Sequence, residues 1–271
     1  MIDSLLQPLT YGFMQRGLAA SVMVGVLCAV MGTYVVLRGM AFLGDAIAHA
    51  ILPGIAIAYI LNGNLLVGAI AAAGAVAVGI GFFSRNGNLK EDTAIGILFA
   101  AALSLGVALI STMQTFAVDL SHILFGNVLG VSASDLWLTG VLGAGILITV
   151  GLLYKQFLVI SFDPVLAATL RLPAELLRYV MLLLLALTVV VSLQTVGVGL
   201  SSALLVTPAA TAYLLIRRLF PMMMVSALIG ALSSVVGLYL SYTLNIVSGS
   251  AIVLTATTFF LLAFTWKKLK K

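Results

Sequence analysis

The chain has 271 residues, of which 63% are hydrophobic and 8% charged, with a formal net charge of +5. Soluble globular domains hold about 25% charged residues, so this composition excludes a soluble protein and indicates an all-α, polytopic membrane helical bundle. One transmembrane domain, 1–271, accounts for the whole length. Three other classes of protein are disfavoured: P-loop nucleotide hydrolases, disulfide-rich proteins and nucleic-acid-binding proteins. No GxxxxGKS or GxxxxGKT loop for nucleotide phosphates is present. The single Cys28 excludes a disulfide framework. The basic residues flank apolar segments and form no nucleic-acid patch.

Nine apolar segments are long enough to cross a bilayer, which takes about 20 residues for a helix. A weakly amphipathic N-terminal segment, 1–15, precedes them and is suited to lie along the membrane interface. The predicted spans cover about 17–37, 42–61, 65–84, 92–113, 134–156, 175–196, 198–216, 222–245 and 248–265.

The distribution of lysine and arginine predicts the orientation, because cytoplasmic loops carry an excess of both. When the C-terminal lysines at 267–271 are placed inside, nine spans put twelve of the thirteen basic residues on the cytoplasmic side. Arg16 is the exception. The count therefore favours nine spans and an outside N-terminus.

Asp45 and His49 lie four residues apart in the second span. Ionisable groups at bilayer depth are costly and usually mark a functional site. Residues i and i+4 share a helix face, and a carboxylate with an imidazole suits Mn²⁺, Fe²⁺ or Zn²⁺. The alternative is an internal ion pair or a capping aspartate that fixes helix packing. We favour a transient metal site, because two ligands per chain fit a cargo ion or a site completed by a second copy, whereas structural sites take about four.

Several other residues interrupt the apolar pattern. Pro53-Gly54 predicts a kink in the second span. The kink either frees backbone carbonyls that line a cavity or serves helix packing alone. Asp92 is predicted to cap the fourth span and Asp135 to start the fifth. Thr207-Pro208 is predicted to break the seventh span as a structural hinge.

Asp119 and His122 fall in the predicted outside loop before the fifth span. They could receive a cation there, but loop residues of these types are more often simply solvated.

The longest predicted cytoplasmic connection runs from about residue 157 to 173. Asp163 followed by Pro164 is typical of an N-cap with proline at the first helical position. A short helix is expected here, over about 163–172. From the pattern alone, it is equally a docking helix for another protein or an interfacial loop helix.

Together these motifs resemble the permease subunits of bacterial manganese/zinc/iron ABC uptake systems. The resemblance covers nearly the whole chain. Ala48 and His122 depart from the family pattern, which usually has a serine and an aromatic residue there. The matching runs are GDAIAHAILPG at 44–54, EDTAIGI at 91–97, LFGN at 124–127, SALLVTPAATA at 202–212 and GLYLSY at 237–242.

The resemblance implies a fold similar to that of vitamin B12-type importers. It implies a homodimer of permeases that works with two cytoplasmic ATP-binding subunits and receives metal from an extracytoplasmic metal-binding protein. Asp45 and His49 match the positions that contact metal in the translocation path. The stretch at 163–172 matches the helix that docks onto the ATPase. Within that stretch the coupling residues are Asp163, Pro164, Ala167, Leu170 and Arg171.

The expected function is therefore the permease subunit of an ATP-driven importer in the bacterial inner or plasma membrane. No permanent cofactor is expected. The 44–54 run looks closer to manganese and iron members than to zinc members, and Mn²⁺ is the expected cargo. The rival function is an ion-gradient-coupled secondary transporter in which Asp45 carries the coupling ion. An intramembrane metalloprotease is disfavoured, because the two histidines lie in different segments and no HExxH motif is present.

Overall fold

The computed structural model describes residues 10–85, 89–112, 128–162 and 164–270. Within these ranges the chain is built of helices and turns without a strand, and nine helical segments are long and apolar enough to cross a membrane. The all-α polytopic fold is thus confirmed. The helices are α1 (Gly12–Leu37), α2 (Leu43–Ala50), α3 (Leu52–Ile60), α4 (Leu65–Phe83), α5 (Glu91–Ser111), α6 (Ala133–Leu152), α7 (Tyr154–Phe162), α8 (Pro164–Thr169), α9 (Ala174–Val196), α10 (Val198–Leu215), α11 (Leu219–Leu244) and α12 (Ser248–Leu269).

The start of α1 differs most from its predicted position. The helix begins at Gly12, five residues before the predicted start at 17. Arg16 fits inside the first turns because its Nε donates to the Gly12 carbonyl at 3.3 Å. Of the N-terminal segment 1–15, residues 1–9 lie outside the described ranges.

Proline 208 does not break the seventh span, so that prediction is wrong. Helix α10 continues from Val198 to Leu215 with Pro208 inside it. Membrane helices tolerate proline where nearby groups satisfy the disturbed backbone.

One compact unit is held together by small residues on α1 and α11. A Cβ on Gly25 of α1 would lie 2.8 Å from the Gly230 carbonyl oxygen of α11, so only glycine allows this approach. The Ser226 hydroxyl donates across the same helix pair to the Ala29 carbonyl at 2.9 Å. We call this the α1–α11 unit, and its described residues are 10–36, 128–144 and 191–270.

The second compact unit contains α2 to α5, the end of α6, α7, α8 and most of α9. Helices α3 and α4 pack closely at Gly54 and Gly68, because a Cβ on either residue would overlap the backbone of the other. An apolar cavity of about 590 Å³ lies beside this contact, lined mainly by alanine, glycine and aliphatic residues. We call this the α2–α5 unit, and its described residues are 37–85, 89–112, 145–162 and 164–190.

Candidate functional site

Helix α2 carries both predicted metal ligands on one face. Asp45 lies in its first turn and His49 in its last. Nδ1 of His49 is 3.7 Å from Oδ1 of Asp45, and the side chains of His49 and Asp45 are 27% and 48% exposed. The structure therefore brings the pair together and leaves both groups accessible.

The hydrogen bond of His49 determines which ring nitrogen can bind a metal. Nδ1 lies 2.9 Å from the backbone carbonyl oxygen of Asp45. A carbonyl can only accept, so Nδ1 carries the proton in this contact. In the neutral ring Nε2 then keeps its lone pair, which is the tautomer that a metal ligand requires.

A cavity of about 240 Å³ opens between α2 and α5 at Asp45. Asp45 of α2 and Asp92 of α5 both line it, so two carboxylates face the same space. Phe99 of α5 also lines it and meets the His49 ring edge-on, with 5.6 Å between ring centroids. Among the described residues no group of three or more His, Cys, Asp or Glu side chains is arranged to hold a metal.

Asp92 is not the helix cap that the sequence predicts. The N-cap of α5 is Lys90, the helix begins at Glu91, and Asp92 lies in the first turn. The sequence could have indicated that Asp92 lines the cavity, because the spacing of residues 92, 95, 96 and 99 places them on one face of a helix. All four residues line the cavity. Sequence reasoning considered the acidic residue at the helix start and overlooked this face.

The predicted break in the second span is confirmed. Helices α2 and α3 are separated by Ile51 alone, and Pro53 follows in the first turn of α3. Proline has no N–H to donate to the carbonyl of His49, four residues earlier, and the Ile51 N–H bonds that carbonyl instead. The break ends α2 at Ala50, one residue after His49, while Gly54 serves the close packing of α3 on α4.

Glu91, next to Asp92, lies between two arginines. Its Oε1 is 2.9 Å from Nη2 of Arg38 and 2.7 Å from Nε of Arg178. These three side chains are each about one-fifth exposed or less. Burial lowers the pKa of Arg38, an effect that Glu91 opposes and Arg178 reinforces. Arg178 also donates to the Ser84 hydroxyl at the end of α4, so the cluster joins Arg38 and the end of α4 to the starts of α5 and α9.

A second ion pair joins α4 and α9 close by. Nε of Arg85 is 3.0 Å from Oε1 of Glu175, and both side chains are more than half exposed. This pair lies in water, which screens it, and contributes little to stability.

The predicted cytoplasmic helix is present as α8, Pro164–Thr169. Ala167 is fully buried, whereas Leu170 is 55% exposed. The helix ends where Arg171 adopts a left-handed conformation with φ of 52° and the Leu172 N–H donates to the Ala167 carbonyl. This six-to-one bond is characteristic of a Schellman motif.

Two groups of predicted residues cannot be placed. Asp119, His122 and the run at 124–127 lie outside the described residues, as does Asp163. Asp135 is placed, and it lies in the first turn of α6, at the helix start as predicted. Its Oδ2 accepts from the Ser132 hydroxyl at 2.5 Å and from the Ser132 N–H at 3.1 Å.

Comparison with known proteins decides the family. Residues 10–267 match the family described as the ABC 3 transport family. The chain belongs to this family. The resemblance inferred from the motifs is therefore confirmed, and this ABC 3 chain is a multi-pass membrane permease of ABC type that does not itself carry the ATPase.

Individual relatives in the ABC 3 family match over nearly their whole length. The manganese transport system membrane protein MntC of Halalkalibacterium halodurans is 47% identical over 258 residues, which cover 95% of this chain and 88% of that protein. A probable iron transport system membrane protein of Haemophilus influenzae is 39% identical and covers 100% of this chain and 99% of its own. The structure of PsaBC from Streptococcus pneumoniae in complex with Fab matches with a TM-score of 0.86 and 40% identity, covering 100% of both chains.

Proposed function

We propose that this permease imports a divalent transition metal, with Mn²⁺ as its cargo and Asp45 and His49 as its transient ligands. One observation carries the proposal. A carboxylate and an imidazole meet on one face of a broken membrane span, both partly accessible, and the carboxylate lines a cavity. The imidazole presents Nε2, because Nδ1 is held by the backbone of its own helix.

The ligand number suits a cargo ion. Two side chains give a divalent ion fewer protein ligands than the four of a closed structural site, so the remaining positions go to water or to a second copy of the chain. Asp92 lines the same cavity without completing a three-ligand cluster in the described part of the chain. Its charge adds to the negative potential that draws a cation into the cavity.

The preference for Mn²⁺ rests on ligand chemistry and on relatives. Oxygen and imidazole nitrogen donors suit Mn²⁺ and Fe²⁺, and the site has no thiolate ligand to favour softer ions. A relative that is 47% identical to this chain is named for manganese transport, and one that is 39% identical is named for iron transport. Fe²⁺ and Zn²⁺ are the competing cargoes.

The energy source in this proposal is ATP bound on partner subunits. The permease pairs with a second copy, contacts two cytoplasmic ATP-binding subunits and receives metal from an extracytoplasmic binding protein, in the bacterial inner or plasma membrane. Docking uses the segment 163–172. Support comes from α8 and the residues beside it, where Val165 is 76% and Leu170 55% exposed. Ala167 holds the helix to its own chain, Pro164 begins it and Arg171 follows its end. Asp163 is proposed from the sequence alone.

Metal uptake by whole cells tests the proposal. We expect Asp45→Ala and His49→Ala each to abolish Mn²⁺ uptake while the permease still inserts and co-purifies with its ATP-binding subunit. Glu175→Gln is the matched control, because its carboxylate is exposed and far along the sequence from α2. Normal uptake by both α2 variants would refute the ligand assignment. Uptake that survives ATP depletion and stops with the ion gradient would favour the secondary transporter instead.

A further inference from the structure

The C-terminal end of α12 concentrates positive charge. Lys267 and Lys268 lie in its last turn, and Lys270 follows directly. Beyond Glu175 the sequence contains no further acidic residue. In the described part of the α1–α11 unit the only carboxylate is Asp135, which is bonded to Ser132 at the start of α6.

Two of these lysines line a cleft between α12 and α10. The cleft has a volume of about 370 Å³ and is lined by Lys267, Lys268, Phe264 and Leu214. Two ammonium groups therefore share a small space with two large apolar side chains. Its described lining offers positive charge and apolar contact and includes no acidic group.

A second cleft of the same unit is apolar, and Trp266 in its lining is in contact with Lys270. It has a volume of about 390 Å³ and lies among α10, α11 and α12, with Ile229, Leu262 and Trp266 in its lining. Nζ of Lys270 lies 5.1 Å from the centre of the Trp266 ring. Tryptophan and lysine at the end of a membrane span are typical of the headgroup level, where the aliphatic stem stays in the apolar layer and the ammonium reaches water.

We propose that this end of the α1–α11 unit binds an anionic phospholipid, with the phosphate at Lys267, Lys268 and Lys270 and an acyl chain against the apolar cleft at Trp266. Basic pockets between membrane helices recognise anionic headgroups. The acidic surface of a soluble subunit would satisfy the lysines but would leave the apolar cleft unused. A lipid satisfies both features, because it joins an anion to a hydrocarbon chain. This inference does not depend on which metal the permease carries.

Trp266 gives a direct probe of the cleft. The sequence contains two tryptophans, Trp137 and Trp266, and both are exposed, at 75% and 59%. The Trp137→Phe variant leaves only Trp266 as a fluorophore, and the Trp266→Phe variant leaves only Trp137 as the internal control. The full-length permease is placed in nanodiscs with equal mole fractions of bromine-labelled phosphatidylglycerol or bromine-labelled phosphatidylcholine, and quenching is compared.

We expect the brominated anionic lipid to quench Trp266 more strongly than the zwitterionic one, with no such difference at Trp137. Each lysine near an anionic headgroup changes local lipid enrichment on the order of fivefold. The combined change of Lys267→Gln, Lys268→Gln and Lys270→Gln should therefore remove the difference, and high salt should weaken it. Changing Lys90→Gln and Lys155→Gln, two lysines elsewhere in the chain, should leave it intact.

Equal quenching of Trp266 by the two lipids overturns the proposal. So does an unchanged headgroup preference in the triple lysine variant. If that variant loses an ATP-binding subunit while its headgroup preference persists, the lysines form a protein docking site and the lipid assignment is wrong. Unchanged quenching at Trp137 and unchanged gel-filtration behaviour show that the variant remains folded.

Discussion

The two compact units use membrane helices in different ways. In the α1–α11 unit, backbones touch at Gly25 and Gly230, and the Ser226 hydroxyl donates to a backbone carbonyl. In the α2–α5 unit, small residues leave cavities of about 590 and 240 Å³, and charged side chains lie beside the smaller one. Close backbone contact suits a scaffold and occurs in both units, at Gly25 and Gly230 and at Gly54 and Gly68. The α1–α11 unit also has clefts, of about 390 and 370 Å³, but their described linings contain no acidic side chain, whereas Asp45 and Asp92 line the cavity of about 240 Å³. That difference supports the proposal that the α2–α5 unit carries the transport chemistry.

Enlarging a contact glycine of the α1–α11 unit should have the largest effect. Gly230→Leu places a side chain where even a Cβ overlaps the backbone at Gly25. Overpacking costs about 1–3 kcal/mol when neighbours can yield, and here two backbones must separate, so we expect loss of folded protein in detergent. Gly199→Ala is the control, since a Cβ there has nothing within 4 Å. Wild-type thermal stability of Gly230→Leu would contradict the scaffold role.

Neutralising Glu91 should have the next largest effect. In Glu91→Gln, Arg38 and Arg178 lose the carboxylate between them, and removing one partner from a buried ion cluster costs about 3 kcal/mol. We expect a clearly lower melting temperature for the purified permease. Glu175→Gln, which breaks the exposed pair with Arg85, should change stability by about 0.5 kcal/mol or less. Equal losses in the two variants would show that burial of the cluster does not matter.

Removing the aromatic partner of His49 should have a smaller effect, confined to the site. Phe99→Ala frees the imidazole from its edge-on contact, which is worth about 1 kcal/mol. We expect the KM for Mn²⁺ uptake to rise about fivefold with little loss of stability. Phe83→Ala, at the exposed end of α4, is the control. A fall in maximal rate at unchanged KM would indicate that Phe99 acts elsewhere in the transport cycle.

The smallest effect is expected at the end of α8. Arg171 has a left-handed φ of 52°, which glycine adopts freely, so Arg171→Gly should stabilise this turn by about 0.5 kcal/mol. If the coupling role needs only this turn, ATP-dependent uptake stays near wild type. If the charge itself contacts the ATP-binding subunit, uptake falls while the melting temperature does not. Arg171→Lys, which keeps the charge, separates these outcomes.

The sequence predicted what depends on local spacing. The lengths of apolar segments predicted the nine spans, and the i, i+4 spacing placed Asp45 beside His49. The break at Pro53 followed from its missing N–H. The same reasoning wrongly predicted a break at Pro208, because the local composition does not show that α10 continues past this proline.

Contacts between helices were not predictable in this way. The cluster of Arg38, Glu91 and Arg178 joins residues up to 140 positions apart, so no local pattern reveals it. Asp92 and Phe99 could have been found from their shared helix face. That face becomes informative only when α5 is known to pack beside α2.

The central claim is that the imidazole of His49 touches the transported ion, and pulsed electron paramagnetic resonance of Mn²⁺ in the assembled transporter tests it most directly. The chain has two histidines, His49 and His122, so labelling with nitrogen-15 histidine reports on these two residues of the permease when the partner subunits are unlabelled. We expect a histidine nitrogen coupling to Mn²⁺ that persists in His122→Gln and disappears in His49→Gln. A coupling that survives in His49→Gln, or is absent from the metal-loaded wild type, would contradict the account.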